Sequence, residues 1–247
     1  MRIGSASCQG LADKLGAVLN TLHVVDPKEF GYSHERYYDA VSNLVAKCAA
    51  DLKHFADHYL GENVARHTVV RGDATAEIES FAKREKVDLI MLPRTHQSIG
   101  SRLLRDSLTA TILEKSTASM WITEHVEAVN ELSVNRILCA VHFERDLRLD
   151  SQNYRILQKV LALAKAFRAK VTFLNVIDKQ EQETTTRRAS DARSSSGIEP
   201  WLVQARKQFG NAAEFLRRKG DVVSAIADVA NQKAADLVVV GPRVQER

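Results

Sequence analysis

Nowhere in the 247 residues does an apolar run approach the roughly 20 residues that a membrane-spanning helix needs. The opening residues, Met1-Arg2-Ile3-Gly4-Ser5, also lack the apolar core of a signal peptide. A cytoplasmic protein with no membrane partner is therefore expected. Cysteine is scarce: the three present, Cys8, Cys48 and Cys139, lie too far apart for any metal or redox spacing. They fit a reducing compartment in which thiols serve as small apolar side chains. Charge of one sign is scarce as well. The 35 basic residues exceed the 31 acidic ones by a net +4, scattered along the chain, so nucleic acid is not an expected partner. What is present is ordinary: 45% apolar and 27% charged residues, in a chain long enough for one large or two small domains.

The most informative stretch runs from Asp88 to Thr109. Leu89-Ile90-Met91-Leu92 is too short and too uniformly apolar for a helix and predicts a buried strand that Pro93 stops. Residues Pro93 to Gly100 form a loop. Ser101 then stands as an N-cap ahead of Leu103, Leu104, Leu108 and Ile112 at helical spacing. Strand, polar loop and helix N-terminus in that order form an anion cradle, because loop and first-turn amides point outward.

Around it, strand and helix alternate, which argues for an α/β fold with parallel sheets covered by helices on both faces. The pattern predicts a helix ending at Cys8–Leu15, a strand at Val18–Val25, and a long helix at Ser33–Leu60. That helix buries Tyr37, Ala40, Leu44, Ala49, Leu52 and Phe55 and ends at Gly61. A strand at Ala65–Arg71, a helix through Ile78 and Phe81, the Leu89–Leu92 strand, a helix to Ser116 and a strand at Ala118–Thr123 follow. Glu124 to Asn135 is a polar linker, after which the pattern restarts. Strands are expected at Arg136–Phe143, Lys170–Ile177, Ala213–Arg218 and Leu237–Val240, and helices at Ser151–Arg168, Trp201–Phe209 and Val222–Ala230. Asp178 to Ser196, with no apolar residue beyond alanine, should be a mobile loop.

The restart is a repeat. Arg71-Gly72-Asp73, Ile78 and Asp88-Leu89-Ile90 recur as Lys219-Gly220-Asp221, Ile226 and Asp236-Leu237-Val238; residue 72 to 220 and residue 88 to 236 are the same step of 148. Leu22-His23-Val24-Val25-Asp26 recurs as Leu174-Asn175-Val176-Ile177-Asp178, a step of 152 from residue 26 to 178. Two copies of one domain thus follow head to tail, over 1–126 and 133–247. The order is a strand ending Leu-x-Val-[Val/Ile]-Asp, a helix, a strand ending x-Gly-Asp, a helix, then Asp-Leu-[Ile/Val] and a cradle loop. This order resembles the universal stress protein family in its tandem, Rossmann-like form. The resemblance covers nearly the whole chain.

Nucleotide-binding members of that family carry Gly-x2-Gly-x9-Gly-[Ser/Thr] after the fourth strand, each glycine letting amides approach phosphate oxygens. The resemblance lays these positions on Pro93, His96, Asp106 and Ser107, of which only Ser107 matches. Pro93 removes an amide, His96 crowds the second position, and Asp106 places a carboxylate beside a phosphate. Two such charges about 4 Å apart at an effective dielectric near 20 repel by roughly 4 kcal/mol, of the order of a thousandfold in affinity. In the second copy Gly241 matches the first glycine and Val244 stands at the second. The acidic residue expected on the adenine side is replaced by His142, and the backbone position ending the second strand falls on Val176, or Val24 in the first copy. Both cradles are therefore degenerate, and no cofactor is expected, ATP being disfavoured.

Other constellations are weaker. His54 and His58 stand one helical turn apart without a third metal ligand, so a solvated face is the better reading and no metal is expected. His96 lacks an assignable nucleophile, and no catalytic residue is expected. Arg71-Gly72-Asp73 spells an adhesion tripeptide but is explained by an Asp-capped turn. Arg187-Arg188-Ala189-Ser190 would suit a basic-directed kinase, a match that a Ser/Arg-rich loop gives cheaply. The leading expectation is a non-catalytic stress-response module acting through protein contacts or a small ligand. The alternative is an ATP-binding stress protein with slow or no hydrolysis, in which Gly100, Ser107 and the amides of Ser101 and Arg102 hold a phosphate. A regulatory domain of a transporter or kinase has no positive support.

Stepping back 152 residues from Arg136–Phe143 leads before Met1, and stepping forward 148 from Ser101–Thr123 leads past Arg247. The first copy is thus expected to lack its first strand, central in the family, and the second its last helix and strand, as in a truncated reading frame. The Val18–Val25 and Leu89–Leu92 strands should then pair directly or admit something foreign. Ala118–Thr123, with Met120, Trp121 and Ile122 and no lysine or proline, is an open edge expected to form a homodimer.

Overall fold

The fold was analysed in a computed structural model that describes residues 5–26, 37–62, 64–93, 108–116, 118–123, 133–141, 152–177, 198–210 and 213–241. The chain divides into two units, 1–132 and 133–247.

The second unit holds a four-stranded parallel sheet. Its strands are β5 (Arg136–Ala140), β6 (Lys170–Ile177), β7 (Ala213–Lys219) and β8 (Leu237–Val240), in the order β7-β6-β5-β8. Central β5 carries Ile137, Leu138 and Cys139, which are 0–2% exposed, and β6 buries Val171, Phe173, Leu174 and Val176. Near-continuous apolar runs of this kind belong to strands covered on both faces. One face is covered by α7 (Val222–Lys233), whose Val229 joins Leu138, Leu174 and Val176 in a buried cluster. Elsewhere α5 (Gln152–Phe167) buries Leu157, Val160 and Ala164, and α6 (Ile198–Phe209) contributes Ala205 and Phe209. The Phe173 ring meets Phe209 edge-on and stacks on Phe215, both at 5.3 Å. Pro200 is accommodated in the first turn of α6, where an amide has no helical partner to lose.

The first unit repeats these elements around a different sheet. Its strands are β1 (Leu19–Val25), β2 (Ala65–Arg71), β3 (Leu89–Pro93) and β4 (Ser119–Thr123). β1 pairs with β2 from Leu19↔Ala65 to Val25↔Arg71, and β3 with β4 from Leu89↔Ser119 to Pro93↔Thr123, all parallel. Among the described residues β1 and β3 do not pair, so the unit has two separate two-stranded sheets. Of the two expected outcomes, direct pairing of these strands is not found among the described residues. In the second unit, β5 stands between their counterparts β6 and β8. The helix α3 (Ala74–Arg84) packs on β1 and on α4 (Leu108–Lys115).

The long helix α2 (Tyr37–Leu60) packs on β1, β2 and α1 (Ser5–Leu15). Its face differs from expectation: Ala49 is exposed, while Ala56 and Leu60 are 0% and 3% exposed, and Leu44, Leu52 and Phe55 are half-buried. A position list at 3.6-residue spacing drifts over 24 residues, and packing against a twisted sheet selects which edge of the stripe is covered. The expected loops Pro93–Gly100 and Asp178–Ser196 lie outside the described residues, apart from Pro93, and so do most of the 124–135 linker and the Arg187–Ser190 sequence.

The repeat reaches individual backbone atoms. The α1 and α5 C-termini close with Ala17 N–H donating to Ala12 O and Ala169 N–H to Ala164 O, both at 2.9 Å, after Gly16 (φ 61°) and Arg168 (φ 53°). α3 and α7 close with Val87 N–H to Ala82 O at 2.8 Å and Ala235 N–H to Ala230 O at 2.9 Å, after Lys86 and Ala234 at φ 52° and 46°. These are left-handed C-terminal caps that satisfy carbonyls the helix leaves over.

Candidate functional site

In open α/β sheets ligands sit beyond the carboxyl ends of the strands, and the four described cradle positions fall at those ends. Val24 is the penultimate residue of β1 and Val176 of β6; Val24 is half-buried and Val176 is 7% exposed. Pro93 closes β3 opposite Thr123, within the strand rather than after it. Gly241 follows β8 directly. A Cβ built on Gly241 would lie 2.5 Å from Ile156 Cδ1, so the tip of a helix α5 side chain already rests on this glycine. His96, Gly100, Asp106, Ser107 and His142 lie outside the described residues. The structure therefore places Val24 and Pro93 in one unit and Val176 and Gly241 in the other.

The turn that resembles an adhesion tripeptide is structural. Gly72 N–H donates to Val25 O and Gly220 N–H to Ile177 O, both at 3.1 Å. Those glycines have φ of 156° and 132°, which favours a residue without Cβ. Asp73 then accepts from Ala76 N–H at 3.0 Å and Asp221 from Ser224 N–H at 2.8 Å, capping α3 and α7. In both units this turn ties the ends of neighbouring strands together.

His54 and His58 lie parallel on α2 with ring centroids 6.4 Å apart, beside Asp51 and Phe55. Among the described residues no group of three or more His, Cys, Asp or Glu side chains could hold a metal ion. Two of the three thiols are poorly disposed to attack. Burial pushes the Cys139 thiol up to about 12 and raises that of Cys8, which keeps both protonated and weakly nucleophilic at neutral pH.

Sequence reasoning missed one polar row. Thr21 Oγ1 shares a hydrogen bond of 2.8 Å with His67 Nδ1, and His67 Nε2 lies 3.9 Å from Asp57 Oδ1, with the Lys53 ammonium bonded to the same carboxylate. Its order, hydroxyl, imidazole and carboxylate, is that of a hydrolytic triad, but 3.9 Å is too long for a hydrogen bond and Thr21 lies mid-strand beside α2. The row lies where α2 packs on the β1–β2 pair. Only the Thr21↔His67 register brings it together, across 46 residues of chain.

A cavity of about 330 Å³ lies in the second unit at the start of β5, β6 and β7, lined among others by Arg136, Lys170, Glu214 and Lys233. Lys233 Nζ holds both Glu214 oxygens at 2.7 Å across it. It opens at the amino ends of the strands, opposite the cradle.

Residues 6–124 and 134–246 each match the model of the universal stress protein family. No curated protein sequence matches the chain significantly. Among solved structures it is similar to a universal stress protein from Archaeoglobus fulgidus DSM 4304, with 17% identity over 96% of this chain and 80% of that chain and a TM-score of 0.67. A putative universal stress protein from Pseudomonas aeruginosa UCBPP-PA14 is also similar, at 13% identity over 94% of this chain and 85% of that chain, with a TM-score of 0.61. At these identities the likeness is one of fold. No helix among the described residues is long and apolar enough to cross a membrane.

Proposed function

We propose, from the premise that the chain belongs to the universal stress protein family, that it is a non-catalytic stress-response module of the cytoplasm. It acts through protein contacts or a small ligand and does not hold ATP tightly. The observation that carries this reading is Pro93 at the last position of β3, where the family's first glycine would offer an amide and proline has none. Ile156 resting on Gly241 supports the same reading for the second unit. By the resemblance in sequence, Asp106 brings a carboxylate to the position of the family's third glycine. The competing reading, an ATP-binding stress protein with little hydrolysis, draws on Gly241 directly after β8.

Titration calorimetry with Mg-ATP, backed by thermal shift, separates the two. A site with a dissociation constant of about 10 μM would stabilise the protein by roughly 2.7 kcal/mol at 1 mM ligand. We expect no such shift. If the Asp106 charge is the main obstacle, Asp106→Gly should raise ATP affinity measurably and Pro93→Gly alone should do little; if the missing amide is, the order reverses. Tight ATP binding by the unmodified protein would overturn the proposal. The partner included in this reading is a second copy of the chain, met through β4.

A further inference from the structure

β7 ends the sheet of the second unit. It bonds β6 from Val171↔Ala213 to Ile177↔Lys219, and its outer edge pairs with no described strand. Its carboxyl half, Arg217-Arg218-Lys219, is exposed throughout. Side chains alternate along a strand, so Arg217 and Lys219 share one face with Phe215, each step being about 6.6 Å. The guanidinium of Arg206, on α6, lies 5.6 Å from the centre of the Phe215 ring and so joins that face. Lys207 follows it and is exposed as well. Arg218, on the opposite face, donates to the Arg217 carbonyl at 3.3 Å. None of these cations has a carboxylate partner among the described residues, and Glu214, the one acid of β7, is already taken by Lys233 at 2.7 Å.

The fold does not require these charges. The first unit builds the same turn after β2, with Gly72 and Gly220 each donating to the neighbouring strand at 3.1 Å. Yet 148 residues before Arg217 and Arg218 stand Val69 and Val70, both half-buried, and only the third basic position recurs, as Arg71. Arg217 and Lys219 repel each other along their face, and the described chain supplies no counter-charge. A basic edge also refuses a copy of itself, because like charges would meet strand against strand. An acidic strand meets no such barrier.

We infer that the outer edge of β7 is a docking site for an extended acidic segment of a partner protein, one that carries a carboxylate at every second residue. Such a segment pairs its backbone with the strand edge and repeats its side chains at the spacing of Arg217 and Lys219, so that charge and register are read together. A polynucleotide fits less well. It has no amides to pair with a strand edge, and Phe215, the aromatic of the patch, lies under Arg206 and against Phe173 rather than open to a base. The inference gives the protein contacts of the proposed function one surface, but its test reads β7 alone, so ATP binding at either cradle would leave it standing.

The probe is a fluorescein-labelled peptide of four alternating Thr-Glu pairs, titrated into the full chain at low salt and followed by anisotropy. It should bind at least tenfold tighter than a peptide of the same composition with its four Thr before its four Glu, and raising the salt to about 0.5 M should weaken it by screening. In hydrogen exchange, saturating peptide should slow amides of 213–219 and leave 65–71, the corresponding strand of the first unit, unchanged. Arg217→Thr with Lys219→Thr keeps a β-forming residue at both positions and should cost at least tenfold in affinity with the far-ultraviolet spectrum unaltered. Arg217→Glu with Lys219→Glu should turn the preference to an alternating Thr-Lys peptide, which a misfolded protein would not do. Four results would each overturn the inference: equal binding of the alternating and blocked peptides, which would leave only bulk charge; tighter binding of an eight-nucleotide oligothymidylate, which would make the partner a polynucleotide; exchange in 213–219 unmoved by saturating peptide; or full protection of β7 before peptide is added, which would mean that the chain covers this edge itself.

Discussion

Asp73 and Asp221 show how much a single position can announce. Each follows a glycine, each caps a helix by accepting an amide three residues on, and this local geometry is what made Arg71-Gly72-Asp73 and Lys219-Gly220-Asp221 readable as turns. Cys139 was readable too, as a small apolar residue within an apolar run, and its burial has a consequence that labelling can measure. The native thiol is pushed up to about 12 from an ordinary 9.0, whereas the unfolded chain keeps the ordinary value. At pH 8 a thiol reagent should therefore label half-buried Cys48 in the native protein and leave Cys139 untouched until denaturant is added. Between about pH 9 and 12 the native state retains a proton that the unfolded state has lost, so stability contributed at this site falls as pH rises. Native-state labelling of Cys139 at the rate of Cys48 would contradict this. The Thr21, His67 and Asp57 row, by contrast, could not be read, because nothing local specifies which residue of β2 faces Thr21.

Strands were the most legible elements. β2, β6 and β8 have the bounds that their apolar runs predicted, since short β-branched and aromatic stretches bounded by turn formers have few other uses. Helix faces were less so, as Ala49 on α2 illustrates. β4 poses the question of assembly. It bonds β3 along one edge, its other edge meets no described strand, and Ile122 on it is 48% exposed. A parallel sheet ending in an apolar strand without a blunting charge is a template for the same strand of a second molecule, and pairing the two would make a closed two-fold dimer. Trp121→Lys should shift the protein toward monomer in sedimentation velocity at tens of micromolar. If the unmodified chain is already monomeric there, the edge is not used in this way.

At the scale of the whole molecule the tandem repeat was legible from spacing alone, and both family matches agree with it. That β1 and β3 stay apart was not, because sequence offsets say which segment has no counterpart but not whether its neighbours close over the space. The outcome makes the two units unequal. The second holds four strands bonded side by side around Ile137, Leu138 and Cys139, whereas the first relies on two strand pairs that share no hydrogen bond among the described residues. A two-stranded sheet has little stability of its own and depends on the helices laid across it, here α2 and α3. The first unit should therefore unfold at a lower urea concentration than the second, and the two tryptophans, Trp121 in one unit and Trp201 in the other, can report on them separately. In a Trp201→Phe protein, fluorescence of Trp121 should change in the first transition. In a Trp121→Phe protein, Trp201 should change only in the second, with circular dichroism falling in both. Coincident midpoints for the two tryptophans would mean that the units unfold as one cooperative body, and that the first sheet is not the weaker of the two.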